Sequence, residues 1–248
     1  GLGDVYKRQV QANGVVFSGE GTVEITASAG LQTLEGTAGD DIIWGDEDAA
    51  TTDTVDLGSV GGGGTDTLKF YSAENGMTVT GFTTGTGTGR DVLDFSNLNL
   101  VNNAENGAET DTASATVYSG TNLSIYDNIN GKLAGLVIAL ADLESIDSAS
   151  TLATAFSVRI NGQMLNSFVS PNSKLIFLTG SDREIEGELV AGADTKIWLW
   201  DDTTAGAGTG NGSLNSNELT LLGTLEGVTM AALQALRDDN VVYNPNLI

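Results

Sequence analysis

The sequence predicts an all-β fold in two parts: a short, irregular parallel β-roll or solenoid, then an antiparallel, sandwich-like β-rich domain with one or two short helices. Three observations predict it. Glycine-rich turns recur at fixed spacing within the first hundred residues. Short apolar runs separated by turn residues fill the remainder. The polar share of the chain is mainly Gly, Thr, Asn and Ser, the residues of turns and strand faces.

The first nine residues, GLGDVYKRQ, differ in texture from all that follow. Asp4 to Gln9 resemble the in-frame translation of a transposase adapter used in sequencing libraries, so residues 1–9 are read as a non-native scar and set aside from fold reasoning. On that reading the parent protein extends further towards its N-terminus.

Residues 10–101 carry the repeat. Its copies are Gly36 to Trp44 (GTAGDDIIW), Gly61 to Lys69 (GGGGTDTLK) and Thr86 to Asp94 (TGTGRDVLD). Gly39, Gly64 and Gly89 are equally spaced, and the same interval separates Asp41, Asp66 and Asp91, and again Ile43, Leu68 and Leu93. A degenerate fourth copy runs through Asp53-Thr54-Val55-Asp56. Fixed-period repetition marks a solenoid, in which each unit buries its apolar face by stacking on its neighbours. Glycine lets the turns adopt positive φ and approach closely, and the apolar residue two positions after each Asp points into the interior. Plain Gly–Asp hairpin turns in a β-rich domain are the competing reading.

Charge gives the turns a chemistry. The chain has 33 acidic and 10 basic residues, a formal net charge of −23, and loses one acidic and two basic residues when Asp4, Lys7 and Arg8 are set aside. The stretch from Glu35 to Asp66, both included, holds nine acidic residues and no Lys or Arg. Unpartnered carboxylates at this density repel one another in a compact state, so a missing cation is implied, a divalent metal first. Stacked turns would align carbonyls with Asp41, Asp66 and Asp91 in columns of hard oxygen ligands, which suits Ca²⁺.

These nonapeptides resemble the calcium-binding repeat of the RTX (hemolysin-type) family, G-G-x-G-x-D-x-U-x with U a large apolar residue. Residues 61–69 fit every position; residues 36–44 miss only the second Gly and residues 86–94 only the first. The resemblance implies metal ligation around Gly36, Gly39, Asp41, Gly62, Gly64, Asp66, Gly87, Gly89 and Asp91, with Ca²⁺ as the cofactor. Family repeats follow one another directly in coils of about 18 residues. Here Asp41, Asp66 and Asp91 lie 25 apart. A stretched roll with fewer sites is therefore expected.

Residues 102–112, within NNAENGAETDT, form the expected linker, and residues 113–248 the second domain. Its expected strands are Ala115–Tyr118, Leu123–Tyr126, Leu133–Leu140, Phe156–Ile160, Lys174–Leu178, Ile197–Trp200 and Leu219–Leu225. Asn130-Gly131 and Asn161-Gly162 are hairpin turns, and Asp142–Ala155 and Thr229–Arg237 read as helices. Asn211 to Glu218 mimics the later half of an EF-hand loop, but Ala207 in its first position cannot ligate. Asp201 or Asp202 would have to substitute across an enlarged loop; an Asn-Gly turn before a strand is the preferred reading. Residues 194–243 resemble the terminal domains of RTX surface-layer proteins and adhesins, which implies a C-terminal signal read by a type I secretion apparatus.

Several function classes are excluded or disfavoured. An acidic chain does not suit nucleic acid or an anionic membrane surface. Without His or Cys there is no Ser–His–Asp triad, no thiolate nucleophile and no His- or Cys-based zinc motif. Gly85 to Gly89 is not a phosphate loop, since Arg90-Asp91 follows rather than Lys-Ser/Thr. A carboxylate pair for glycoside hydrolysis is not recognisable at this acid density. No stretch approaches the roughly 20 apolar residues of a membrane span.

The expectation is a non-catalytic, secreted calcium-binding module for export and folding, from a surface-layer or adhesin-type protein. Its partners would be calcium, the secretion apparatus and other copies in a surface layer. The alternatives are the export tail of a larger RTX protease or lipase, and a carbohydrate-binding sandwich using Trp198, Trp200 or Tyr243.

Overall fold

The computed structural model describes residues 6–9, 22–27, 30–45, 52–58, 64–70, 76–85, 88–100, 115–118, 137–140, 145–157, 159–160, 163–164, 172–203, 214–229, 232 and 240–242. In order these form β1 (Tyr6–Gln9), β2 (Val23–Thr26), β3 (Thr33–Glu35), β4 (Ile42–Trp44), β5 (Thr54–Asp56), β6 (Thr67–Lys69), β7 (Met77–Thr80) and β8 (Val92–Asp94). There follow β9 (Ala115–Tyr118), β10 (Val137–Leu140), α1 (Ala149–Ser157), β11 (Arg159–Ile160), β12 (Gln163–Met164), β13 (Lys174–Ile185), β14 (Glu188–Asp201), β15 (Leu219–Leu225) and β16 (Val241–Val242). The chain is mostly strand, as expected, with a single α-helix among the described residues.

Successive strands of the repeat region alternate between two sheets. One sheet runs β1-β2-β4-β6-β8-β16 and the other β3-β5-β7-β15-β14-β13-β10-β9. Pairing from β1 through β8 is parallel throughout. Strands β2 to β8 each bury an apolar residue, and these stack with Val241 of β16 and Leu225 of β15 in two columns: Ile25, Ile43, Leu68, Leu93 and Val241 in one sheet, Leu34, Val55, Val79 and Leu225 in the other. Ile43, Leu68 and Leu93 thus occupy the interior positions the repeat assigns them. Phe70 and Phe95 stack beside them at 5.0 Å between ring centroids.

The step is not uniform. Glu24 pairs with Ile42 across a short connection, whereas Ile42 pairs with Thr67 and Thr67 with Val92 across longer ones of equal length. In the other sheet Thr33 pairs with Thr54 and Thr54 with Thr78, and again the second step is the longer. Extra residues therefore enter the connections and leave the strand register intact. β1, within the adapter-like segment, pairs in parallel with β2, a backbone contact open to any non-proline sequence.

The second half continues the same two sheets: β15 lies parallel to β7, and β16 parallel to β8. One apolar cluster joins Ile25, Leu68 and Leu93 to Ile176, Ile197, Leu222 and Val241, so the segments on either side of residues 102–112 share a core. A second cluster, around Trp198, Trp200 and Phe177, packs α1 against the outer face of β13 and β14.

Three expectations are corrected here. The second half is not purely antiparallel: β13, β14 and β15 are, but β9, β10 and β13 run parallel to one another. Residues 119–136 and 141–173 are long enough for the crossovers that parallel pairing needs. Phe156 and Ser157 end α1 instead of opening a strand, and the strand is only Arg159–Ile160. The helix starts at Ala149, not Asp142, because the Ser148 hydroxyl accepts the Thr151 N–H at 3.1 Å and its carbonyl accepts the Leu152 N–H. β11 and β12 pair antiparallel across Asn161-Gly162. Leu123–Tyr126, Asn130-Gly131, the linker and most of Thr229–Arg237 lie outside the described residues.

Candidate metal centre at the aspartate column

The parallel register brings Asp41, Asp66 and Asp91 into one column at the entrances to β4, β6 and β8, and all three are buried, at 1%, 2% and 2% exposure. Each carboxylate reaches back to the entrance of the preceding strand of its sheet. Asp91 Oδ1 accepts the Asp66 N–H at 2.9 Å, Asp66 Oδ1 accepts the Asp41 N–H at 2.9 Å, and Asp41 Oδ1 accepts the Val23 N–H at 2.8 Å. The remaining oxygens of two of them bond within their own turns. Asp41 Oδ2 accepts the Thr37 N–H, and Asp91 Oδ2 accepts the Thr83 N–H at 2.7 Å.

Among the described repeat glycines, Gly64 shows the close approach and Gly89 the positive φ that the repeat leads one to expect. A Cβ on Gly64 would lie 2.2 Å from the Gly39 carbonyl oxygen, so neighbouring turns touch backbone to backbone. Gly89 has φ +78° and donates its N–H to the Thr65 hydroxyl at 3.2 Å. Gly36 donates to the Asp56 carbonyl at 2.9 Å, and a Cβ there would crowd Asp41 Oδ2. Gly62 and Gly87 lie outside the described residues.

Electrostatics sets Asp66 and Asp91 apart from other acids. Burial pushes Asp66 up to about 7, with repulsion from Asp91, Asp41 and Asp40 adding to it against the hydrogen bond from Asp41. Burial likewise pushes Asp91 up to about 6 against the bonds from Thr83 and Asp66. Asp94 shows the contrast: burial raises it, but Lys69, 2.8 Å away, and Ser96 hold it below the ordinary carboxylate range. Among the described residues no Lys or Arg forms an ion pair with Asp41, Asp66 or Asp91.

The donor chemistry fits a hard cation. A carboxylate has about four lone-pair sites, and a bond from one N–H leaves others open. The arrangement fits less fully: among the described residues no three acidic side chains converge on one point. An ion held here would need turn carbonyls beside the aspartates, as Ca²⁺ commonly uses.

Sequence reasoning flagged Asp53 only within a degenerate copy. It performs the same task in the other sheet, accepting the Gln32 N–H at 2.9 Å while buried. An Asp two residues before the buried apolar residue is the shared signal, and the missing glycines obscured it. Asp40 was not singled out; it caps the Thr65 N–H at 2.7 Å, the donor again one full repeat away.

The EF-hand-like segment has another role. Glu218 is buried and accepts the Trp200 indole N–H at 3.1 Å and the Asn215 N–H at 3.1 Å, closing a capping box before β15. Trp198 and Trp200 are likewise buried, the former donating to Thr179 Oγ1 at 3.0 Å. Both indoles therefore serve the core rather than a sugar-binding surface; Tyr243 lies outside the described residues.

No protein-family model, curated protein or solved structure matches the chain. Among the described residues no helix is long and apolar enough to cross a membrane.

Proposed function

We propose that the chain is a non-catalytic, calcium-coupled folding and export module of a secreted protein of the RTX surface-layer or adhesin type. On this reading the alternating parallel strands are a short, stretched β-roll, and the sheet from β13 to β15 caps it. Ca²⁺ would be held by Asp41, Asp66 and Asp91 together with carbonyls of the turns at residues 36–39, 61–64 and 86–89. The ion would supply the positive charge that no Lys or Arg among the described residues provides in an ion pair at the column.

One observation carries the reading: three repeat aspartates stacked in the interior without an ion-pair partner among the described residues. In a compartment poor in free calcium their repulsion opposes closure and keeps the chain exportable. Outside, calcium at the roughly 10⁻⁴–10⁻³ M affinity of extracellular modules drives folding. The test is circular dichroism with thermal melting in millimolar calcium and in chelator. A higher melting temperature and more β-structure in calcium support the proposal; equal spectra and equal melting contradict it.

A further inference from the structure

The inference concerns the far end of β13 and β14. Their pairing with each other continues to Ile185 and Glu188, whereas β10 leaves β13 at Thr179 and β15 begins on β14 only at Thr195. Residues 183–192 therefore form a two-stranded arm, and among the described residues no strand pairs with its outer edges. Its tip turns at Glu186 and Gly187, with φ of 54° and 85°, matching the twist of a tight hairpin.

Its root is fixed. Arg183 Nη1 lies 3.2 Å from Asp194 Oδ1 and 3.9 Å from Glu226 Oε2, and Asp194 also accepts the Gly227 N–H at 2.8 Å. Its tip presents apolar side chains to solvent: Leu189 is 72% exposed, Val190 40% and Ile185 38%. The register pairs Arg183 with Val190, Glu184 with Leu189 and Ile185 with Glu188. Cross-strand partners share a face, so Ile185 and Val190 lie on one side and Leu189 on the other.

We propose that this arm docks into a protein partner that presents an apolar cleft rimmed by lysine or arginine. Apolar groups on both faces call for a cleft that grips the ribbon, not a flat surface. Glu184, Glu186 and Glu188 ring the tip, while the arm's one cation, Arg183, is engaged at the root. Charge complementarity thus selects a basic rim. A second copy of this chain, itself at −23, would bring acid against acid. The proposal is independent of the calcium reading.

The probe is a blocked heptapeptide of alternating Lys and Val, titrated into the full chain at physiological ionic strength and followed by amide NMR. Lys–Ser and Glu–Val heptapeptides serve as comparisons. The expected result is that the Lys–Val peptide alone binds and shifts the amides of residues 183–191. Leu189→Ser/Val190→Ser and, separately, Glu184→Gln/Glu186→Gln/Glu188→Gln should each weaken it by about tenfold. Equal binding by Lys–Ser, or binding unchanged in either variant, overturns the proposal as diffuse attraction to an acidic protein. Self-association of the wild type that Leu189→Ser abolishes overturns it in favour of a second copy.

Discussion

Asp66 is the residue on which the physics turns. Its carboxyl titrates near 7 in the folded, metal-free chain and near the ordinary 3.8 when unfolded. Between those values the folded state holds the extra proton, so stability falls as pH rises from about 4 to about 7 and levels off above. Asp91 adds the same sign up to about 6. Together they are expected to remove on the order of a few kcal/mol, measured by urea unfolding in chelator at several pH values. Asp66→Asn, which keeps an oxygen for the Asp41 N–H, should flatten that dependence. Stability rising with pH in chelator would contradict the account.

Gly64 offers a second test at this scale. Its added methyl would meet the Gly39 carbonyl at 2.2 Å, a backbone contact without a flexible side chain to yield. Gly64→Ala is expected to cost about 3 kcal/mol or more by denaturant unfolding, whereas Gly187→Ala, with nothing within 4 Å, pays only the strain of its positive φ.

Among the elements, those written by local chemistry were legible. The D-x-U pattern located β4, β6 and β8 and their buried residues, and the Leu219–Leu225 strand was recovered with its bounds. The Lys174–Leu178 and Ile197–Trp200 runs were found but cut short. The arm beyond them is charged and exposed, and carries no core signal. The parallel course of β9 and β10 was not legible, because strand direction depends on long crossovers. The column of aspartates was legible, but its hydrogen bonds were not: whether a carboxylate faces an ion or an N–H depends on neighbours a whole coil away in the chain.

How the stack ends was equally hidden. Asn240, fully buried, donates through Nδ2 to the Asp91 carbonyl at 2.8 Å and accepts the Gly85 N–H at 3.1 Å. In earlier coils the matching carbonyls, of Asp41 and Asp66, bond the N–H of Thr67 and Val92. The asparagine amide thus imitates the next rung and closes the ladder. Asn240→Leu should leave both groups unsatisfied, cost about 2 kcal/mol, and expose the amides of β8 to faster hydrogen exchange.

For the whole molecule, the two sheets run through both halves of the chain and share a core, so calcium bound at the coils should stabilise the capping sheet as well. Unfolding followed at Trp198 and Trp200, which sit far along the second sheet, is expected to shift with calcium together with total β-structure. Separate transitions would mean that the halves melt independently.

Calorimetric titration of Ca²⁺ tests the central claim most directly, in the wild type beside Asp66→Asn, which retains an oxygen for the Asp41 N–H. The account predicts saturable binding by the wild type with release of protons near pH 6–7, and loss of that binding in a variant that stays folded in chelator. Identical calcium isotherms for the two proteins, or none for either, would contradict it.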